Sequence, residues 1–254
     1  MSFLLTRRAL VTGAAAGAAT LLSGCDKLAR NGDFRKTLFS AENMHKWLQR
    51  SLQDREALAR EFRPDQRSPI FRGNGTMNPN TEEYKGYWRE DFANWRLQVD
   101  GLVEQPLSLS LAQLKSMPNR IQTTRHDCVE GWSAIGTWRG VPLNLVLENA
   151  RISTRARYIV FHCMDDMGGG QDYYESIDMV DALHPQTILA FALNEKPLIV
   201  QNGAPLRLRA ERHLGYKQAK YIKRIEAVAD LKAVRGGKGG YWEDVANYEW
   251  YAGI

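Results

Sequence analysis

The sequence predicts an α+β domain of mixed β-sheets with short helices, and three observations carry that prediction. Short apolar stretches of strand type recur from about residue 95 to 228, several of them alternating with polar residues. The helical stretches between them are few and brief. No regular strand–helix–strand repeat links them, so a doubly wound parallel sheet is not expected. At 44% hydrophobic and 25% charged, the composition is that of one globular domain.

The elements follow in order. Ser40 is placed to cap a helix whose Met44, Trp47, Leu48, Leu52, Leu58 and Phe62 share a face, with Pro64 and Pro69 ending it. Residues 72–91 read as a loop. Trp95, Leu97 and Val99 alternate as in a strand, Asp100-Gly101 punctuates, and Leu107 and Leu109 alternate again. Leu111 to Met117 reads as a short helix before Pro118, and Ile121 to Val129 as a strand or extended segment. A helix over Leu143 to Ala150 starts behind Pro142. Tyr-Ile-Val-Phe within Arg157 to Met164 marks a buried strand. Further strands are expected over Ile188 to Leu193, Leu206 to Leu208 and Tyr221 to Val228. The aromatic tail (Tyr241, Trp242, Tyr248, Trp250, Tyr251) should pack back on the body, because so many exposed rings would be costly. Gly168-Gly169-Gly170 lacks G-x-G-x-x-G spacing and opens no helix, which argues against a dinucleotide fold.

The first residues follow different rules. Arg7-Arg8 precede an uncharged, weakly apolar run from Ala9 to Gly24, the pattern of a twin-arginine export signal rather than of a membrane span. Leu22-Ser23-Gly24-Cys25 resembles a bacterial lipobox, so Cys25 is the expected lipidation site. The expected organisation is a signal peptide over 1–24, a polar tether over 25–40 and one domain over 41–254, lipid-anchored on the periplasmic side of the cell membrane. The formal charge of +5 includes Arg7 and Arg8, so the processed chain is only mildly basic and export makes nucleic acid an implausible partner.

Chemistry concentrates in Thr124-Arg125-His126-Asp127-Cys128-Val129-Glu130-Gly131-Trp132-Ser133. Three readings of Cys128 stand side by side: half of a disulfide with Cys163, a thiol activated by Arg125 and His126, or a soft metal ligand. Zinc is disfavoured, because neither His126 and Cys128 nor His162 and Cys163 have the gap usual for chelating pairs. His184 and His213 read as polar loop residues.

Four motifs occur together: Arg-x-x-Cys-Val-Glu-Gly-Trp-Ser, Trp-x-Gly-x-Pro-Leu from Trp138, Asn-Gly-Ala-Pro-Leu-Arg over 202–207, and Gly-Tyr-Lys-x-x-Lys over 215–220. Their order and spacing resemble the molybdopterin-binding catalytic domain of the sulfite oxidase family over about residues 70 to 229. The likeness is strongest to the branch containing the catalytic subunit of periplasmic protein-methionine-sulfoxide reductase. The resemblance implies a sulfite oxidase-type fold, an Mo-molybdopterin cofactor and oxygen-atom transfer. Cys128 matches the cysteine that ligates molybdenum, and thiolate suits a soft, redox-active metal. Asn202, Arg207, Lys217, Gln218, Ala219 and Lys220 match positions that hold the pterin and its phosphate. Asn74 matches an upstream cofactor contact, with Met77 and Asn78 close behind. Cys163 falls where the reductase branch has a threonine near the cofactor, and Tyr173 resembles an active-site tyrosine of sulfite-oxidising members. His162 and Asp165 fall near the same site.

One departure bears on substrate. Sulfite-oxidising members place an arginine directly before the upstream asparagine; here that place is Gly73, with Arg72 one step back. The expectation is therefore reduction of an S-oxide or N-oxide, on a small molecule or an oxidised protein, with electrons from a separate partner at the inner membrane. The alternatives are a sulfite dehydrogenase and a non-catalytic, lipid-anchored binding module on the same fold.

Overall fold

The computed structural model describes residues 31–254, which fall into two units divided after Leu52. The expected signal peptide, the lipidation site Cys25 and the start of the tether lie outside the described residues. In the first unit, helix α1 spans Gly32–Leu52. The Asn31 side chain accepts from the backbone N–H groups of Asp33 and Phe34 at 3.0 Å each, so the cap sits nine positions before Ser40 and residues expected in the tether are helical.

The helix also stops sooner than the apolar pattern implies. In the second unit, the Asp54 carboxylate accepts from Glu56 N–H and the Asp54 carbonyl from Ala57 N–H, a turn that redirects the chain. Residues 57–62 then run extended, with Phe62 N–H donating to the Thr123 carbonyl and Glu61 bridging Thr124. Leu58 and Phe62 therefore belong to a strap along a sheet, not to the helix.

Two sheets carry the domain. The first has the order β2-β1-β10-β5-β6, built from Leu107–Ser110, Arg96–Gly101, Ile222–Val228, Tyr158–Asp166 and Asp172–Asp178. Only its β1–β10 pair is parallel, which makes the sheet mixed. The second is antiparallel with the order β3-β4-β7-β8, from Arg120–Asp127, Ser133–Pro142, Ile188–Leu193 and Lys196–Pro197. Strand β9, Arg207–Arg209, also pairs with β7, through Ile188, Leu189 and Ala190. Short helices join them: α2 (Glu82–Arg89), α3 (Leu111–Ser116), α4 (Leu143–Asn149), α5 (Met179–Ala182) and α6 (Tyr241–Ala246).

The expected strands appear within a residue or two of their predicted bounds, but α2, β4, β6, α5, β8 and α6 were not foreseen. Helix α2 lies in the stretch read as a loop, capped by Thr81, whose hydroxyl accepts from Tyr84 N–H at 3.2 Å. Strand β6 carries buried Glu175 and Ser176, so its polarity hides it. Strand β4 is interrupted by glycines that break its apolar pattern. Gly140 is required there by packing: a Cβ would lie 2.3 Å from the Leu189 carbonyl oxygen at the bulge where β4 meets β7. The core between the elements is apolar and aromatic, with Trp95, Trp138, Phe161 and Leu147 fully buried. His184 and His213 lie outside the named helices and strands, as expected of loop residues, but both are buried; the His213 ring sits 2.7 Å from the Asp181 carboxylate.

Candidate active site

Hairpin β3–β4 presents Cys128. Asp127 and Ser133 pair across its base, and the five residues between them close on two backbone bonds, Cys128 N–H to the Trp132 carbonyl at 2.9 Å and Gly131 N–H to the Cys128 carbonyl at 3.0 Å. Gly131 supplies the positive φ that this tight loop needs. The thiol is 6% exposed, and burial raises its pKa above the ordinary value. Cys128 and Cys163 are both free, so the disulfide reading of the sequence is not realised. Among the described residues, no group of three His, Cys, Asp or Glu side chains has the geometry of a metal cluster.

The Asn74 side-chain amide donates to Cys128 Sγ at 2.8 Å. The loop carrying Asn74 is held from the far end of the sequence. The Lys220 ammonium donates to the Asn74 carbonyl at 2.6 Å, to the Thr76 carbonyl, and to the Gln201 carbonyl at 3.3 Å, while the Tyr221 hydroxyl donates to the Thr76 carbonyl at 2.7 Å. Two residues expected at the site, Asn74 and Lys220, are thus tied to each other as well as to the cavity.

A cavity of about 210 Å³ is lined by His126, Val129 and Glu130, around Cys128 in the chain, and by Asn74, the hydrogen-bond partner of that cysteine. Cys128 itself is not part of the lining. Of the residues expected to bind cofactor or act in catalysis, Asn74, Tyr173, Arg207, Gln218 and Lys220 line it. Arg207 and Arg209 lie two apart on β9 and so project to one side, where their guanidinium groups pack on the Trp138 ring at 4.9 and 4.4 Å. Arg207 donates to the carbonyls of Asn202 and Gln218 at 3.0 and 3.4 Å, and its Nε has no partner. Burial and the neighbouring Arg209 lower its pKa to about 9; burial and Arg207 lower that of Lys220 to about 7.

The remaining expected residues sit otherwise. Cys163 is fully buried behind the cavity wall, and Asn202 and Ala219 are buried without lining it. Met77 and Asn78 are exposed beyond the Asn74 loop. Lys217 is buried and donates to both Glu175 and Glu243 (2.8 Å to the latter), so its ammonium is committed to an internal ion triad. His162 is turned away, paired with Glu226 at 2.9 Å.

Several groups at the cavity were not foreseen from the sequence. His126 accepts at Nδ1 from Arg209 at 2.9 Å, which leaves its Nε2 as the N–H donor of a neutral ring. Burial, then the charges of Arg209 and Arg207, push its pKa far down. Gly215 follows from this packing, since a Cβ there would lie 2.6 Å from His126 Nε2. Half-buried aromatics, Tyr216, Trp242 and Tyr248, form another part of the wall, so the tail expected to pack back on the body also shapes the site.

This donor set fits an anionic, metal-bearing cofactor. Burial and then a neighbouring positive charge lower the pKa values of two cations, Arg207 and Lys220, and three polar atoms nearby (Arg207 Nε, Asn202 Nδ2 and Gln218 Oε1) lack partners. A phosphate placed there would neutralise the cations and accept from Arg207 Nε, while Gln218 Oε1, itself an acceptor, calls for a donor instead. Residues 85–233 match the model of the oxidoreductase molybdopterin-binding domain. The chain belongs to that family. It is an oxidoreductase whose cofactor is a molybdopterin.

The relatives agree. A protein of Azospira oryzae, provisionally named protein-methionine-sulfoxide reductase subunit YedZ1, is 39% identical over 198 residues, covering 76% of this chain and 70% of that one. The protein-methionine-sulfoxide reductase catalytic subunits MsrP of Campylobacter jejuni and Xanthomonas campestris are 31% and 40% identical, over 63% and 54% of this chain. The chain spans only 57% and 46% of the length of those two subunits. The sulfane dehydrogenase SoxCD of Paracoccus pantotrophus superposes with a TM-score of 0.51 at 22% identity, covering 61% of this chain and 41% of that one, a likeness of fold. This matches the sulfite oxidase-type fold expected from the four motifs.

Proposed function

We propose that this chain is the catalytic part of an exported molybdenum enzyme that reduces S-oxides, with methionine sulfoxide, free or in oxidised protein, as the substrate class. The observation that carries the reading is the two-sided character of the cavity beside Cys128: buried cations for the cofactor on one part of its wall, neutral aromatic rings on another. A neutral sulfoxide with an apolar alkyl group suits aromatic walls better than a small dianion does. The names of the relatives support the same chemistry.

When bound, the cofactor supplies a metal centre that exchanges an oxygen atom and electrons with substrate. The chain's residues prepare for it. Cys128 holds the metal through its thiolate, and a bound cation overcomes the burial that keeps the free thiol protonated. The Asn74 amide steadies that sulfur by hydrogen bonding. Arg207 and Lys220 meet the anionic end of the pterin, and the neutral His126 offers an N–H donor to the same cavity. Electrons come from a separate partner at the inner membrane. Export by the twin-arginine route and a lipid anchor at Cys25 complete the reading, since a cofactor-loaded protein must cross the membrane folded.

A sulfite dehydrogenase is the second reading, and one observation favours it: Arg72 lines the cavity, so the guanidinium displaced by Gly73 is not lost from the site. Steady-state assays decide between them. Reduced dye with methionine sulfoxide should give turnover, and sulfite with an oxidised acceptor should give little. Efficient sulfite oxidation with negligible sulfoxide reduction would reverse the assignment.

A further inference from the structure

Strand β5 sends two neighbouring side chains to different fates. Cys163 is buried in the core, whereas Asp165 lines the cavity. Asp165 is 3% exposed, and its Oδ1 has no hydrogen-bond partner among the described residues. A carboxyl with an unspent oxygen at a substrate cavity is an unusual thing for a fold to keep, because such a group normally costs stability.

The neighbouring groups are otherwise engaged. His126 is locked as a neutral ring by the bond from Arg209. The Tyr173 hydroxyl donates to the Tyr216 carbonyl, and burial pushes its pKa well up. Glu130 accepts from Trp132 Nε1 at 3.1 Å. The Lys220 ammonium, though lowered to about 7, is held on three carbonyls, and Arg207 is lowered only to about 9. Asp165 differs from all of these.

We propose that Asp165 is the proton donor for oxygen removal in this cavity, a role that rests on the sulfoxide-reductase reading. The overall step is R2S=O + 2 e− + 2 H+ → R2S + H2O. The S–O bond breaks, sulfur is reduced, and the oxygen leaves as water. The electrons come from an external one-electron donor, a reduced viologen in the assay. Asp165 gives one proton and recovers it from solvent, which also provides the second.

The electrostatics agree with the placement. Burial raises the Asp165 pKa from 3.8 to about 6, Asp172 pushes the same way, and the Thr76 hydroxyl and Lys220 pull it down. The phenols of Tyr84, Tyr173 and Tyr221 and the thiol of Cys163 also feel its charge, and all four have raised pKa values of their own, mainly through burial. A carboxyl titrating near 6 can give and regain a proton close to neutrality.

The test is Asp165→Asn in the cofactor-loaded enzyme, with Asp165→Glu as rescue. Molybdenum content should match wild type, while sulfoxide turnover with reduced viologen falls about 100-fold, the usual weight of general acid catalysis. The wild-type rate should decline as pH rises through the carboxyl's pKa; the Asn variant should lose that limb and the Glu variant recover part of the rate. Apart from turnover, infrared difference titration of the oxidised wild-type enzyme should show a protonated carboxyl band persisting above the ordinary carboxylate range, missing in Asp165→Asn. An Asn variant with unchanged rate and pH profile overturns the role. So does one that loses molybdenum along with activity, or a wild type without the band. A wild type that reduces no sulfoxide defeats the functional reading itself, an outcome told apart because in the other failures the wild type is active.

Discussion

Asn74 and Cys128, 54 positions apart in the chain, meet through a 2.8 Å hydrogen bond from amide to sulfur. That bond joins a loop ahead of the first sheet strand to the tip of the β3–β4 hairpin, so the Cys128 sulfur is positioned by two independent parts of the fold. Cys128→Ser should preserve the fold, because a hydroxyl of nearly the same size can still accept from Asn74. Molybdenum should be lost or the enzyme inactive, since a neutral hydroxyl is a poor ligand for a soft metal. Metal analysis and thermal melting together check this. A Cys128–Cys163 disulfide found by mass spectrometry in the native protein would sink the whole assignment.

Arg207 gives a signature with two signs. Its charge is buried, and burial and Arg209 hold its pKa at about 9 against the opposing pull of Glu211. Arg207→Gln removes that liability and also removes a charge-assisted contact to bound phosphate, worth about 1.5–3 kcal/mol. Cofactor affinity should fall by roughly one to two decades. The melting temperature of the cofactor-free variant should hold close to wild type, while the gain on loading shrinks. Equal losses in both forms would show that Arg207 is structural only.

What the sequence made legible is what short motifs encode. The strands around Cys128, Arg207 and Tyr221 were readable because apolar alternation needs only neighbours along the chain. Arg207 and Lys220 were readable because they stand at fixed places in motifs, and Asn74 through a match upstream of those motifs. Arg209 and His126 were not: their bond spans 83 positions, and nothing local marks an arginine as the group that fixes a histidine's tautomer. Lys217 shows the converse. Motif position put it at the cofactor, yet its ammonium is drawn to Glu175 and Glu243, which arrive from β6 and α6. The strand β4 escaped because Gly136 and Gly140 break its apolar pattern, although both are small for reasons of contact: a Cβ would lie 2.8 Å from the Leu193 side chain at one and 2.3 Å from the Leu189 carbonyl oxygen at the other.

Anchoring is tested at Cys25. Among the described residues no helix is long and apolar enough to cross a membrane. Cells carrying Cys25→Ala should release the protein to the soluble periplasm. Wild-type protein that is already soluble, with an unmodified N-terminus, refutes the anchor.

His184 predicts an acid limb of stability. Burial lowers its pKa from 6.5 to about 4, and its ring is 3.1 Å from the Ala57 carbonyl. A histidine with a depressed folded pKa is neutral in the native state, while the unfolded chain takes up a proton below 6.5. Stability is therefore lost as pH falls from 6.5 toward 4, by up to about 3 kcal/mol for this one group. His184→Gln should cost stability at pH 7 yet flatten the decline, so its melting temperature approaches that of wild type in acid. Parallel curves from pH 7 to 4 would assign the acid sensitivity elsewhere.

The buried triad Glu175–Lys217–Glu243 fastens the C-terminal helix to β6 and thereby sets the aromatic wall of the site, because Trp242 stands next to Glu243 and lines the cavity. Two carboxylates share one ammonium. Burial raises the pKa of Glu175 well above its ordinary value; for Lys217 burial works against the charge, and the two glutamates outweigh it. Lys217→Met strands both acids in the interior, and losing one partner of a buried ionic set typically costs about 3–5 kcal/mol. Glu243→Gln leaves Lys217 paired with Glu175 and keeps a hydrogen-bonding side chain, so it should cost far less. Additional fastenings hold the same segment, Tyr174 to Asp244 and Trp250 Nε1 to Ser176 Oγ at 2.8 Å, so the tail should loosen rather than detach. Limited proteolysis should therefore cut the Lys217→Met variant first after residue 230, with KM for sulfoxide rising more than kcat falls. If that variant melts like wild type and its tail stays protected, the triad does not hold the wall in place.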